Sequence, residues 1–249
     1  MAWPPLPSWA LVRLEQLVLA LVFLTRLPLG RALPARILPL RASAWSFPLA
    51  GAVVGAVASL PLLLPGPALL TATLSLALSV WFTGGLHEDG LADFADAGGG
   101  RDREERLRIM RDSRIGSYGV LALIATSALR IAALTVLGPV QLIVAASCAR
   151  TGIVLTMASM HPARPDGLSK AAGAPGARNV IAALLIALAA LALAGQGALL
   201  ALLAAMAVIA FVIIRARIWL GGQTGDVLGA ASVLTETAML VAFALTGAA

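Results

Sequence analysis

The chain has 249 residues, of which 60% are hydrophobic and only 12% charged, with 18 basic against 12 acidic side chains and a formal net charge of +6. Soluble globular domains carry about 25% charged residues, and a disordered chain could not leave so much apolar side chain hydrated, so both classes are excluded. Continuous apolar runs long enough for a hydrocarbon core of about 30 Å leave an all-α, polytopic integral membrane bundle, since a β-barrel would alternate polar and apolar positions.

In chain order, residues 9–24 carry Arg13 and Glu15, so their uncharged run is short and reads as an interfacial or partly inserted helix. The same interruption argues against a secretory signal. Residues 42–86 contain no charge and break only at Pro65-Gly66-Pro67, which predicts spans at 44–64 and 67–86. Between Ile115 and Pro162 the only Arg, Lys, Asp or Glu residues are Arg130 and Arg150, and Gly138-Pro139 divides the stretch into spans 117–137 and 140–160. Gly195-Gln196-Gly197 splits a further charge-free run into 179–194 and 198–214, and a last span covers 227–247 around Glu236. Seven spans in one membrane domain, 1–249, are expected, without internal repeats. The single cysteine, Cys148, allows no intrachain disulfide.

Each hairpin returns the chain to the side it left, so connectors 25–43, 87–116, 161–178 and 215–226 share one face. Arg26, Arg31, Arg36 and Arg41 lie on the first of them, Arg164, Lys170 and Arg178 on the third, and Arg215 and Arg217 on the fourth. By the positive-inside rule this face is cytoplasmic. The cations are strung between spans with no compact patch, which predicts a lipid bilayer and no nucleic acid as partner.

Eight of the twelve acids lie between Glu88 and Asp112, which makes that connector the expected functional centre. If 87–97 is helical, Asp89, Asp93 and Asp96 fall at i, i+4 and i+7 within a narrow arc, with Leu91 and Phe94 facing the other way. Stacked carboxylates at a membrane surface need a cation, and an all-oxygen donor set without cysteine suits Mg²⁺. The competing reading is a solvated acidic face paired with the arginines that follow. Asp102 and Glu105 have capping-box spacing ahead of a short helix from about 103, where Arg108 and Asp112 can pair at i, i+4. Arg111, Asp112, Ser113, Arg114 and Gly116 place guanidinium, hydroxyl and glycine amides together, as phosphate binding requires; anchoring at lipid headgroups would use the same residues. In Gly222-Gln223-Thr224-Gly225-Asp226, glycines permit close backbone approach. Asp226 completes a metal or ribose site there, or simply complements a helix dipole. Glu236 lies deep in its span and is expected to pair with Arg130 or Arg150. His87 is either a general base or an interfacial polar residue.

The blocks Gly84-Gly85-Leu86-His87-Glu88-Asp89-Gly90-Leu91-Ala92-Asp93-Phe94-Ala95-Asp96, Ile109-Met110-Arg111-Asp112-Ser113-Arg114-Ile115-Gly116-Ser117-Tyr118-Gly119 and Gly222-Gln223-Thr224-Gly225-Asp226-Val227-Leu228-Gly229-Ala230 together resemble the cobalamin synthase family, the adenosylcobinamide-GDP ribazoletransferases. Glu88 departs from the family pattern, which commonly has an aliphatic residue there, so its role is open. The resemblance implies a multi-pass enzyme of the bacterial inner membrane that joins adenosylcobinamide-GDP to α-ribazole, or its 5′-phosphate, with release of GMP and a requirement for Mg²⁺. It leaves homo-oligomerisation open. On that reading Asp89, Asp93 and Asp96 hold the metal, and His87, Asp93 and Arg114 act in catalysis. Arg111, Asp112, Ser113, Gly116, Thr224, Gly225 and Asp226 then contact substrate or phosphate. Two other classes compete: an ion-coupled transporter, whose acids would be expected near the bilayer midplane, and a membrane scaffold without a metal site.

Overall fold

A computed structural model describes residues 7–34, 38–167, 170 and 172–247; the expected connector cation Arg36 lies outside them. Among the described residues every regular element is helical, apart from one isolated parallel bridge between Pro162 and Gln223. The helices are α1 Ser8–Leu24, α2 Leu40–Ala58, α3 Ala68–Thr83, α4 Leu86–Asp96, α5 Arg103–Ile109, α6 Ser117–Leu134, α7 Pro139–Ser159, α8 Ala177–Leu191, α9 Ala198–Leu220 and α10 Gly225–Leu245.

Each of the seven expected stretches carries a helix, but five helices, α2, α6, α7, α9 and α10, are long and apolar enough to cross a membrane. The difference from seven has two sources. Helix α8 has 15 residues, a rise of about 22 Å against a core of about 30 Å. Helix α3 stops after 16 residues at Gly84 and Gly85, both with positive φ (75° and 69°), and the chain turns by 91° into α4. Two consecutive left-handed residues would strain any side chain with a Cβ, so the glycine pair both ends the span and lays α4 across the end of the bundle.

The connectors do gather at one end. Arg26 donates its backbone N–H to Phe82 (2.8 Å). The guanidinium of Arg103 donates to the carbonyls of Leu220 and Ala163 (both 2.7 Å), and Arg217 to that of Ser159 (2.7 Å). At the other end, Leu134, Leu137, Leu142, Leu191, Ala194 and Phe243 from the hairpin tips form one apolar cluster.

Helices α7 and α10 form the buried centre, whereas α6 and α9 turn most of their surface outward. Between apolar lipid and apolar side chain, packing comes from close backbone approach at small residues, and Gly51-x-x-x-Gly55 on α2 supplies it. A Cβ on Gly55 would lie 2.6 Å from the Cα of Ile143, and one on Gly51 would overlap the carbonyl of Ala146. A buried charge network crosses this centre. Glu236 on α10 accepts from Arg150 on α7 (2.6 Å) and faces Arg130 on α6 (3.6 Å), which also pairs with Glu88 on α4 (3.1 Å). The expected partner of Glu236 was one arginine or the other; it has both, and Glu88 completes a neutral set of four.

Candidate active site

Helix α4 crosses α10 where neither has a side chain in the way. A Cβ on Gly90 would lie 2.9 Å from the Cα of Asp226, and one on Gly229 would lie 3.1 Å from the carbonyl of His87. The crossing carries Asp226, at the start of α10, to the acidic face of α4. Thr224 caps α10 by accepting from the N–H of Val227 (3.3 Å) and donates its hydroxyl to Asp226 (3.2 Å). The loop before it is held by Ala163 N–H to the Gln223 carbonyl (2.8 Å) and Gln223 N–H to the His161 carbonyl (2.9 Å).

A cavity of about 190 Å³ opens at this crossing, lined by His87, Asp89, Arg164, Asp166, Thr224, Gly225 and Asp226, with Phe23 and Ile153 supplying apolar wall. A wider, open groove of about 590 Å³ lies beyond the other end of α4, bounded by Asp96, Arg108, Asp112, Arg114, Gly116 and Tyr118. The predicted site residues therefore divide between two depressions, with α4 running from one to the other. Asp93, Arg111 and Ser113 line neither.

The three acids of α4 do not act as one cluster. Both oxygens of Asp96 accept backbone N–H groups at the start of α6, from Gly116 (2.7 Å) and Gly119 (2.8 Å). That is an anion satisfying the free donors of a helix N-terminus, which gives Asp96 a structural role at the start of α6. Asp89 and Asp93 instead face Asp226. Asp93 lies outside the membrane-crossing helices, and its pKa is pushed up to about 7 by burial first and then by the charges of Asp226, Asp89 and Asp96; only Arg164 opposes this among the nearby charges. Among the described residues no three His, Cys, Asp or Glu are drawn to metal-binding distance. The donor chemistry still fits a hard cation: three carboxylates, Asp89, Asp93 and Asp226, repel one another across the crossing and contribute oxygen only.

His87 is buried and its Nδ1 has no hydrogen-bond partner among the described residues. Burial, then the neighbouring Arg150, pushes its pKa down to about 3, with Glu236 opposing. The imidazole is thus neutral, suited to hydrogen bonding and weak as a proton acceptor. Arg111 pairs with Asp166 (3.1 Å) at the cavity edge. Arg114, fully in solvent, forks onto Asp112 (3.0 and 2.7 Å) and holds that carboxyl down to about pKa 2. Asp112 was expected to pair with Arg108, but Arg108 leans toward Glu105 (3.9 Å) because α5 ends at Ile109 and the chain turns there. The capping signal holds, with Asp102 accepting from Glu105 N–H (2.9 Å).

Sequence reasoning missed Arg164 and Asp166. Arg164 donates to the Leu107 carbonyl (3.1 Å), and its pKa is drawn down by burial while Asp226 opposes that. Both sit in a connector with no motif, and only the fold brings them to the acids.

Comparison with known proteins points to one family. The chain is 42% identical over 240 residues to the adenosylcobinamide-GDP ribazoletransferase of Bradyrhizobium diazoefficiens, covering 92% of each chain. It is 43% identical over 243 residues to that of Azorhizobium caulinodans, covering 89% of this chain and 92% of the relative. The similarity to that of Sinorhizobium medicae is 41% over 220 residues, covering 80% and 84%. No solved structure matches. The family model described as cobalamin-5-phosphate synthase matches residues 16–244, and the chain belongs to that family.

Proposed function

We propose that this protein is a Mg²⁺-dependent adenosylcobinamide-GDP ribazoletransferase whose reaction takes place at the crossing of α4 and α10. The observation that carries the reading is the convergence of Asp226 and Asp89, from segments more than 130 residues apart, on a cavity walled by Arg164, with Asp93 close enough to feel both charges. The substrates are adenosylcobinamide-GDP and α-ribazole or its 5′-phosphate, as the names of the relatives and the family suggest. A ribazole hydroxyl oxygen forms a bond to the cobinamide-side phosphorus, the P–O bond to GMP breaks, and the hydroxyl proton leaves to a nearby carboxylate or water. Such transfers are driven by positioning and charge neutralisation.

Asp89, Asp93 and Asp226 would hold Mg²⁺, which when bound offsets the charge of the diphosphate and of the departing GMP. Arg164 adds fixed positive charge on the same wall. Asp93, whose carboxyl tends to keep a proton beside the other acids, would give it up on binding the ion. His87 orients a hydroxyl as a neutral hydrogen-bonding group. The cavity is smaller than the 300–1,000 Å³ usual for ligand pockets, so it takes only the reacting phosphate and its ribose. The corrin ring then remains outside, and the open groove with Arg114 and Tyr118 is available to the second substrate. The connector face is cytoplasmic on the positive-inside argument, which puts the site where nucleotides are found.

The test is GMP release by purified protein in detergent with both substrates, with and without Mg²⁺. Asp226→Asn is expected to lower turnover by at least about 10²-fold with folding intact. Asp96→Asn is expected to cost about 1 kcal/mol of stability through the start of α6 while keeping substantial turnover. Equal activity in Asp226→Asn and wild type would remove the crossing from the mechanism.

A further inference from the structure

Helix α9 presents Phe211, Ile214 and Ile218 outward, an apolar arc at the connector end of a 23-residue span, and Arg215 lies on that same arc. Its guanidinium carbon sits 5.5 Å from the Phe211 ring centroid and 5.6 Å from that of Trp219. Arg106 on α5 stands over the same indole, 5.5 Å from its centroid, and its Nε is buried without a hydrogen-bond partner. Neither arginine has a carboxylate partner among the described residues. Trp219 is fixed from behind by Phe94 (centroids 5.4 Å apart) and by Gly98, where a Cβ would lie 3.2 Å from the indole. Two guanidiniums sharing one aromatic ring repel each other and leave most of their donors open, at the depth where a membrane protein meets lipid phosphate. Cation–π contact holds them in place without neutralising them.

We propose that Arg106, Trp219 and Arg215 form a binding site for the phosphate of an anionic phospholipid, with the acyl chains lying along Phe211, Ile214 and Ile218. A soluble anion is the lesser fit because Arg215 is on the face that meets hydrocarbon. Its stem passes along apolar surface to reach the interface, as snorkelling arginines do, and each such arginine near an anionic surface favours binding by about fivefold.

The test uses the full chain reconstituted with brominated phosphatidylglycerol or brominated phosphatidylcholine, reading quenching of Trp219 fluorescence as the difference between wild type and Trp219→Phe. The expected result is stronger quenching by the anionic lipid, with the preference falling about fivefold in Arg215→Gln and again in Arg106→Gln, and unchanged in Arg178→Gln. Arg215→Lys and Arg106→Lys keep the charge and should keep the preference, which separates loss of the site from loss of fold. Equal quenching by the two lipids, or a preference that survives both glutamine variants, overturns the proposal. Competition by excess soluble glycerophosphoglycerol would also overturn it, because the site would then be one for a free phosphate.

Discussion

Asp93 shows how much of the site resides in single residues. Its position on one arc with Asp89 was readable from i, i+4 spacing, but the approach of Asp226 was not, because nothing local links residues so far apart in sequence. The raised pKa has a definite sign. An ordinary aspartate near 3.8 becomes one near 7 in the folded chain, so between those values the native state binds the extra proton and stability falls as pH rises. In metal-free protein, melting temperature is expected to drop from pH 5 to pH 7.5 more steeply in wild type than in Asp93→Asn. Added Mg²⁺ should reverse the drop in wild type alone. Thermal unfolding with a chelator, then with Mg²⁺, measures both effects. For Asp96 the spacing that aligns it with Asp89 and Asp93 says nothing of the open N–H groups of α6, which its carboxylate also accepts.

Among the elements, five of the seven expected spans were legible from hydropathy because an apolar run of given length has few alternatives. The bend between α3 and α4 was half legible: Gly84-Gly85 is visible as a break, but not that both adopt positive φ and set α4 at right angles. The crossing of α4 and α10 rests on Gly90 and Gly229, and the neighbours at Gly90 are backbone atoms of Asp226. Gly90→Ala must push the helices apart and is expected to cost about 1–3 kcal/mol, the usual price of overpacking. Turnover should fall further than stability alone explains, since the displaced Asp226 leaves the acids. Ala92→Gly, on the same helix, should lower stability by about 1 kcal/mol without that disproportionate loss. Unfolding midpoints and GMP release on the same preparations distinguish the two.

For the whole molecule, the contacts of Arg26, Arg103 and Arg217 draw the expected connectors together at one end. The sidedness itself makes a prediction. Glu104→Cys should react with a membrane-impermeant maleimide in inverted vesicles and not in intact cells, whereas Gln196→Cys should do the reverse. Cys148→Ala serves as the background in both. Labelling of Glu104→Cys from outside would invert the topology and separate the site from cytoplasmic nucleotides.

The four buried charges also impose an order on biogenesis. Glu88 precedes Arg130 and can meet it as α6 enters the bilayer, but Arg150 has no acid until Glu236 arrives with α10, made after α7, α8 and α9. A lone arginine at the centre of a lipid-embedded helix costs about 2.5–3.5 kcal/mol. A chain that stops short of α10 therefore holds α7 loosely, and the arrival of Glu236 acts as the latch that closes the bundle.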